Sequence, residues 1–99
     1  MKVVISKRAR RHIEAIQAWW SKNRPSSPGL FLEELYEVER RLRDSPTLGV
    51  VYAAHKSGLV RRVLLARTKR HVYFRFRAER DELVVLAVWG ASRAKGPRL

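Results

Sequence analysis

Residues 83–89 read Leu83-Val84-Val85-Leu86-Ala87-Val88-Trp89, and this stretch decides the fold. The run is apolar at odd and even positions alike, so a strand built from it buries both of its sides. A strand of this kind lies inside a sheet, with a neighbour on each side. The short β-branched segment of residues 2–5, at the other end of the chain, is the obvious second neighbour.

The segments that precede this run are typical of strands that have one face buried and one face exposed to solvent. Residues 71–77 alternate, with Val72 and Phe74 on an apolar side and polar or basic residues on the other. This alternation predicts one core face and one basic, solvated face. Residues 50–54 and 59–66 are two further strand candidates. Three connections are short enough for hairpins, which predicts an antiparallel meander: Lys56-Ser57-Gly58, Thr68-Lys69-Arg70 and Glu79-Arg80-Asp81.

Two amphipathic helices are predicted between the first strand and the meander. Ser6 is a favourable N-cap for a helix that runs to about Lys22. Ser27 and Pro28 supply the N-cap and first-turn proline of a second helix, which ends before Pro46. The apolar stripes of the two helices are Ala9, Ile13, Ile16 and Trp20, and Phe31, Leu35, Val38 and Leu42.

These elements predict one α+β domain over residues 1–99, because a chain of this length builds a single core. The order is β-α-α-β-β-β-β. Two consecutive helices with a short linker form a hairpin, which we expect to pack on one face of a mainly antiparallel sheet.

The composition narrows the class of protein further. The chain has no cysteine, which excludes disulfide frameworks and thiol nucleophiles, and it has no apolar run of the roughly 18 residues that a membrane span needs. We therefore expect a cytoplasmic protein. Lys plus Arg number 22 against 9 for Asp plus Glu, so the formal net charge is +13. Such an excess predicts an anionic partner.

The positive charge is concentrated in the second half of the chain. No acidic residue occurs in residues 45–78, and the last seventeen residues, 83–99, contain none either. The basic side of the residue 71–77 strand lies within the first of these segments. The pattern predicts a basic sheet face with a basic C-terminal tail.

Several local strings, taken in order, resemble the RelE/ParE superfamily of small bacterial toxins. Ser45-Pro46-Thr47-Leu48-Gly49 resembles the family's P-x-x-G turn, and Val60-Arg61-Arg62 its arginine-bearing strand. Thr68-Lys69-Arg70-His71-Val72-Tyr73-Phe74-Arg75 is similar to a ParE-type strand. The closest string is residues 83–89 followed by Arg93, which is similar to the ParE ending. The resemblance covers nearly the whole chain and implies the same fold as the periodicity does.

The resemblance implies one of two activities. RelE-like members cleave mRNA on the ribosome with basic residues of the sheet and a tyrosine near the C-terminus, whereas ParE-like members lack this set and inhibit DNA gyrase. Here His71 stands where RelE has an arginine, Arg62 and Leu64 stand where it has alternating lysines, and residues 94–99 contain no tyrosine. The resemblance therefore favours a ParE-like toxin of a type II toxin–antitoxin system. It implies a gyrase inhibitor rather than an enzyme, held in a hetero-oligomer by an acidic, ParD-like antitoxin.

Candidate site residues follow from the basic face, the tail and the helical hairpin. Adjacent helical residues point about 100° apart, so Trp19 and Trp20 cannot both face the core, and Trp19 is expected at the surface. We predict antitoxin contacts at Trp19, Leu30, Leu32, Arg61 and Arg75. We predict target contacts at Arg61, Arg62, Arg75, Arg77, Arg93, Lys95 and Arg98. If the chain is a ribosome-dependent mRNA endoribonuclease instead, the catalytic candidates are Arg62, His71, Tyr73 and Arg93.

The remaining features predict no further chemistry. His12, His55 and His71 show no ligand spacing, so neither a metal site nor a cofactor is expected. Residues 90–99 hold almost no bulky apolar side chain and are expected to be lightly tied down. The four glutamates of the second helix are expected to form a solvated face: Glu33, Glu34, Glu37 and Glu39. A basic nucleic-acid-binding module without an antitoxin is the remaining alternative.

Overall fold

The apolar run forms β5 (Glu82–Gly90), which lies between two strands as predicted. It pairs in parallel with β1 (Lys2–Ile5) and antiparallel with β4 (Arg70–Arg77). The computed structural model describes residues 1–55 and 58–99. With β2 (Val50–His55) and β3 (Gly58–Leu65), the five strands form one sheet in the order β1-β5-β4-β3-β2.

The connections confirm the predicted meander. A single 3-10 turn, Ala78–Arg80, joins β4 to β5, and Lys69 adopts a positive φ of 58° in the turn between β3 and β4. Two residues of the predicted Lys56-Ser57-Gly58 connection, Lys56 and Ser57, lie outside the described residues. The predicted order β-α-α-β-β-β-β is confirmed.

Helix α1 (Lys7–Asn23) begins at the predicted cap. The Ser6 hydroxyl accepts from the backbone N–H of Ala9 at 3.1 Å and donates to the carbonyl of Leu86 at 3.2 Å. The Ser6 backbone N–H also donates to the carbonyl of Val85 at 3.0 Å. One serine therefore starts the helix and attaches it to β5.

Helix α2 (Leu30–Asp44) begins later than predicted. Its N-cap is Gly29, which makes no side-chain cap, so the predicted cap at Ser27 is wrong. The reason is tertiary: the Ser27 carbonyl accepts from the indole N–H of Trp20 at 2.7 Å and from the backbone of Leu30 at 3.2 Å. These bonds hold Ser27 in a turn ahead of the helix.

The main core lies between the helical hairpin and one face of the sheet. The predicted stripes supply its helical side, since Ala9, Trp20, Phe31, Val38 and Leu42 are all buried. The sheet side consists of Val63, Leu65, Val72, Phe74, Leu83, Val85 and Val88. Because side chains alternate along a strand, this face fixes which residues lie on the opposite, open face.

The open face has a small apolar centre of its own, formed by Val60, Tyr73 and Ala87. In the β4–β5 pairing Tyr73 opposes Ala87 while Phe74 opposes Val85, which leaves Leu86 as the extra residue of a β-bulge. Tyr73 is only 2% exposed. The prediction that this face is basic and wet throughout is therefore wrong at its centre.

Glu34 departs from the predicted solvated helix face, because it is buried. Its carboxylate accepts from the backbone N–H groups of Arg67 at 2.8 Å and Thr68 at 3.0 Å, and from the Thr68 hydroxyl at 2.7 Å. These bonds tie α2 to the turn between β3 and β4. Glu33 and Glu37 remain exposed, and Glu39 pairs with Arg43 at 3.1 Å on the helix surface.

Replacing Glu34 by alanine should lower the free energy of unfolding by about 3 kcal/mol, because two buried donors of Thr68 and the partly buried N–H of Arg67 lose a charged acceptor. Urea unfolding measures the change. Glu37→Ala on the exposed side of the same helix is the matched control and should change the free energy of unfolding by less than about 0.5 kcal/mol. Equal, small effects for the two variants would contradict the assigned role of Glu34.

Candidate functional site

The open face of the sheet brings together three of the four catalytic candidates. The Arg62 guanidinium donates to the Tyr73 hydroxyl at 3.5 Å, and the ring centroid of His71 lies 6.0 Å from that of Tyr73. The ring of Tyr52, which sequence reasoning did not select, stacks edge-on against Tyr73 at 4.8 Å. The fourth candidate, Arg93, lies apart from this cluster, on the ring of Trp89.

The chemistry available to this cluster is restricted by burial. The Tyr73 phenol is almost wholly covered, so a substrate phosphate has little access to it. Burial, followed by the positive charge of Arg62, lowers the pKa of His71 below its ordinary value of 6.5. His71 is therefore mainly uncharged at neutral pH and offers a base rather than a cationic phosphate contact.

The predicted target-binding arginines do not form one surface. Arg61 opposes Phe74 in the β3–β4 pairing and so lies on the helix-covered side of the sheet. Arg77 is on the open side, but its guanidinium pairs with Glu79 at 3.4 Å and Glu82 at 3.8 Å. These two residues are corrections to the predicted set, because strand parity and local ion pairing remove them from it.

Arg62 and Arg75 remain as basic groups of the open face. Neither takes part in an ion pair among residues 1–55 and 58–99. The Arg75 Nε is buried without a hydrogen-bond partner in the same residues. It borders a cavity of about 290 Å³ that Ser6, Arg8, Leu86 and Leu99 also line.

The C-terminal tail, residues 91–99, crosses the open face instead of being lightly tied down. The Trp89 indole N–H donates to the carbonyl of Lys95 at 2.8 Å, and the Arg8 guanidinium donates to the carbonyl of Arg98. Pro97 is buried, and Gly96 lies so close to the Tyr52 hydroxyl that a Cβ there would displace the Tyr52 side chain. Backbone carbonyls, which composition does not reveal, anchor this segment.

The predicted antitoxin-binding residues are also separated by the fold. Trp19 is 43% exposed, as expected, but Leu30 and Leu32 are partly buried and pack against the main core. Arg61 and Arg75 lie on opposite sides of the sheet. The five residues therefore do not form a single patch, because Leu30 and Leu32 of the hairpin pack against the main core.

Sequence reasoning missed a concave surface beside α1, which we call the α1 groove. It consists of two adjoining cavities of about 380 and 700 Å³ that share His12, Trp89 and Arg93. Its remaining basic and aromatic lining includes Arg8, Arg11, Trp19, Arg70, Lys95 and Arg98. The helical spacing of residues 8, 12, 15 and 19, one position before the core stripe, was the signal that could have revealed it.

His12 closes the floor of the α1 groove. Its Nδ1 accepts from the backbone N–H of Val88 at 3.2 Å, and its ring packs edge-on against Trp89 at 5.3 Å. The guanidinium of Arg93 lies 3.9 Å from the centre of the Trp89 ring, on which it is held by a cation–π contact. The groove thus has a rigid aromatic and basic wall.

The pKa of His12 is lowered from its ordinary 6.5 by burial first and then by the positive charges of Arg8, Arg11 and Arg93. The neutral ring also suits the hydrogen bond, because a protonated Nδ1 would face the Val88 N–H as a second donor. Both effects favour the uncharged imidazole in the folded protein.

Two negative findings apply to residues 1–55 and 58–99. No group of three or more histidine and acidic side chains is placed to hold a metal ion in this part of the chain. No helix among these residues is long and apolar enough to cross a membrane.

His12 should make stability depend on pH. Because its folded pKa lies below the unfolded value near 6.5, its contribution is complete above pH 6.5 and is lost as the pH falls through the folded pKa. Thermal unfolding between pH 7.5 and 5 should show a smaller loss of stability in His12→Asn, whose amide oxygen still accepts a hydrogen bond. His71→Asn should act in the same direction, because the pKa of His71 is lowered too. An unchanged pH dependence in His12→Asn would contradict this assignment.

Comparison with known proteins bears on the fold. No family model matches the chain, and no curated protein matches it. A chain of a solved structure described as "Chromosomal ParDE TA system from P. aeruginosa" superposes with a TM-score of 0.72 at 17% identity. The match covers 93% of this chain and 97% of that one. The chain therefore has a ParE-like fold, as its resemblance to the RelE/ParE superfamily implied.

Proposed function

We propose that the chain is the toxin of a type II toxin–antitoxin system, ParE-like in its action, which inhibits DNA gyrase in the cytoplasm. The observation that carries this proposal is the fold shared over 93% of the chain with a chain of a ParDE system. In this proposal a cognate acidic, ParD-like antitoxin neutralises the toxin in a hetero-oligomer. No cofactor or metal takes part.

The charge of the chain supports an acidic antitoxin. The net charge is +13, and Arg62, Arg75 and the α1 groove have no ion-pair partner among the described residues. An acidic partner relieves the self-repulsion of this surface and is steered toward it from a distance. Charge thus distinguishes such a partner from a neutral helical peptide, which would not be steered in this way.

The geometry supports an inhibitor in preference to a nuclease. RelE-like cleavage, as the resemblance describes it, needs an accessible tyrosine near the C-terminus, and residues 94–99 contain none. Tyr73, the catalytic candidate among the phenols of the cluster, is 2% exposed, whereas Tyr52 beside it is 37% exposed. The predicted catalytic phenol, Tyr73, is therefore poorly placed to orient a phosphate for attack by a ribose hydroxyl.

A ribosome-dependent endoribonuclease is the second candidate. The observation that favours it is the contact between Arg62 and Tyr73 with His71 beside them. In this alternative Arg62 stabilises the phosphate and His71 serves as the base. Tyr73 would have to become exposed first, which is why gyrase inhibition is preferred.

We assign target contacts to the basic groups that the fold leaves unpaired: Arg62, Arg75, Arg93, Lys95 and Arg98. Arg93 is the strongest of these candidates, because its guanidinium is already held on Trp89 and loses little freedom on binding. Since the tail packs against Tyr52 and is bonded to Trp89 and Arg8, we expect removal of residues 92–99 to disturb the fold. Point substitutions are the better test.

Antitoxin binding is tested by co-expression with the small acidic protein encoded next to this gene. The two proteins should co-purify, and Arg75→Glu should slow their association more at low than at high ionic strength, because salt screens steering over about 10 Å. Arg40→Glu, an exposed position on α2, is the matched control for charge. The absence of an acidic neighbour, or an acidic neighbour that does not co-purify, would refute the antitoxin part of the proposal.

Purified toxin should inhibit DNA supercoiling by gyrase and leave mRNA intact during translation in vitro. Arg93→Ala should weaken the inhibition roughly tenfold, which corresponds to about 1.4 kcal/mol of lost contact energy. Arg40→Ala should inhibit like the unmodified protein. Cleaved mRNA with unaffected supercoiling would favour the endoribonuclease, and His71→Ala should then abolish cleavage.

A further inference from the structure

The α1 groove holds an unusual amount of unneutralised positive charge. Its basic lining residues are Arg8, Arg11, Arg70, Arg93, Lys95 and Arg98. The ion pairs of residues 1–55 and 58–99 lie elsewhere, at Arg43, Arg67, Arg77 and the N-terminus. Among the described residues, none that lines either cavity is acidic. The charge of the groove therefore suits an extended anion.

Two flat surfaces accompany this charge. Trp19 is 43% exposed, and the guanidinium groups of Arg24 and Arg70 lie 5.5 and 5.7 Å from its ring centre. Where the two cavities meet, the guanidinium of Arg93 lies over the Trp89 ring. Nucleic-acid bases stack on indole rings and on guanidinium planes alike. The carboxylates of an acidic peptide pair with guanidinium groups but do not stack on indole rings.

The groove is also long enough for an extended strand. Arg8, His12, Ala15 and Trp19 follow one side of α1, and the eleven residue steps of helix from position 8 to 19 span about 16 Å. Ala15 is the small residue between the two ends. The charged end at Arg8 and Arg11 and the aromatic end at Trp19 thus lie along one line.

We propose that the α1 groove binds single-stranded nucleic acid. The phosphates contact Arg11, Arg70 and Lys95, and one base stacks on Trp19. This inference goes beyond gyrase inhibition and antitoxin binding, and neither of those activities requires it. The chemistry shared by DNA and RNA single strands is sufficient for the contacts described.

Fluorescence anisotropy of a labelled (dT)12 strand with the purified full-length chain tests the groove. Arg11→Glu should weaken binding roughly tenfold and reduce the slope of log affinity against log salt by about 0.7, because one phosphate contact is lost. Arg10→Glu is the matched control, since it changes the same charge one residue away, on the other side of α1. It should alter affinity by less than about twofold.

The stacking contact needs its own pair of variants. Trp19→Ala should weaken (dT)12 binding roughly fivefold or more, and Trp19→Phe should restore most of the affinity. Tyr36→Ala, which removes an aromatic ring that is 60% exposed on α2, should leave affinity unchanged. Thermal unfolding of each variant shows that it is folded at the assay temperature.

Two results would overturn the proposal. Equal losses in Arg10→Glu and Arg11→Glu would reduce the binding to general attraction between polyelectrolytes. The second result concerns a poly-glutamate peptide. If it binds as tightly as (dT)12 and is equally sensitive to Arg11→Glu, while (dT)12 binding does not respond to Trp19→Ala, the groove is a site for an acidic peptide. A parallel series with (rU)12 tells which sugar is preferred, and tighter binding of either strand through Arg11 and Trp19 supports the groove. These experiments measure binding of a single strand and not gyrase supercoiling. Their failure is therefore distinguishable from failure of the proposed function.

Discussion

The structure depends on how the free edge of β5 is satisfied. β1 pairs with β5 only as far as Val85, whereas β5 continues to Gly90, so its outer backbone groups need other partners. Ser6 bonds to the Leu86 carbonyl and His12 to the Val88 N–H. Helix α1 thereby replaces the missing strand along this edge. Its position on the sheet is set by these bonds as well as by the apolar stripe.

This attachment also creates the surface that we assign to binding. Because α1 runs beside the end of β5, one side of the helix faces Trp89 and the tail that follows it. Trp89 in turn holds the tail through its indole N–H and carries Arg93 on its ring. The same contacts that complete the sheet edge therefore orient the basic groups nearby, without a separate structural element for that purpose.

Charge and stability are divided between different parts of the molecule. The folded state rests on the two apolar clusters and on buried hydrogen bonds such as those of Glu34, whereas most of the ion pairs lie on exposed side chains and contribute little. The basic groups without an ion pair add self-repulsion, although some of them make local contacts, such as Arg93 on Trp89 and Arg8 with the Arg98 carbonyl. Their physical use is in association with anions, which is consistent with a partner that the isolated chain lacks.

The sequence by itself determined the order of the elements, the two helical stripes and the place of residues 83–89 inside the sheet. A strand that is apolar at both odd and even positions must be covered on both faces, which leaves it only an interior place in the sheet. The sequence did not determine which basic residues share a surface. Strand register places Arg61 and Arg75 on opposite faces of the sheet, and Glu82 neutralises Arg77 across the β4–β5 pair. Glu34 is buried because it bonds to the turn at Arg67, thirty-three residues further along the chain. The helical spacing of residues 8, 12, 15 and 19 marks one side of the α1 groove, but its other side and the packed tail were decided by hydrogen bonds to backbone carbonyls and N–H groups, which composition does not reveal.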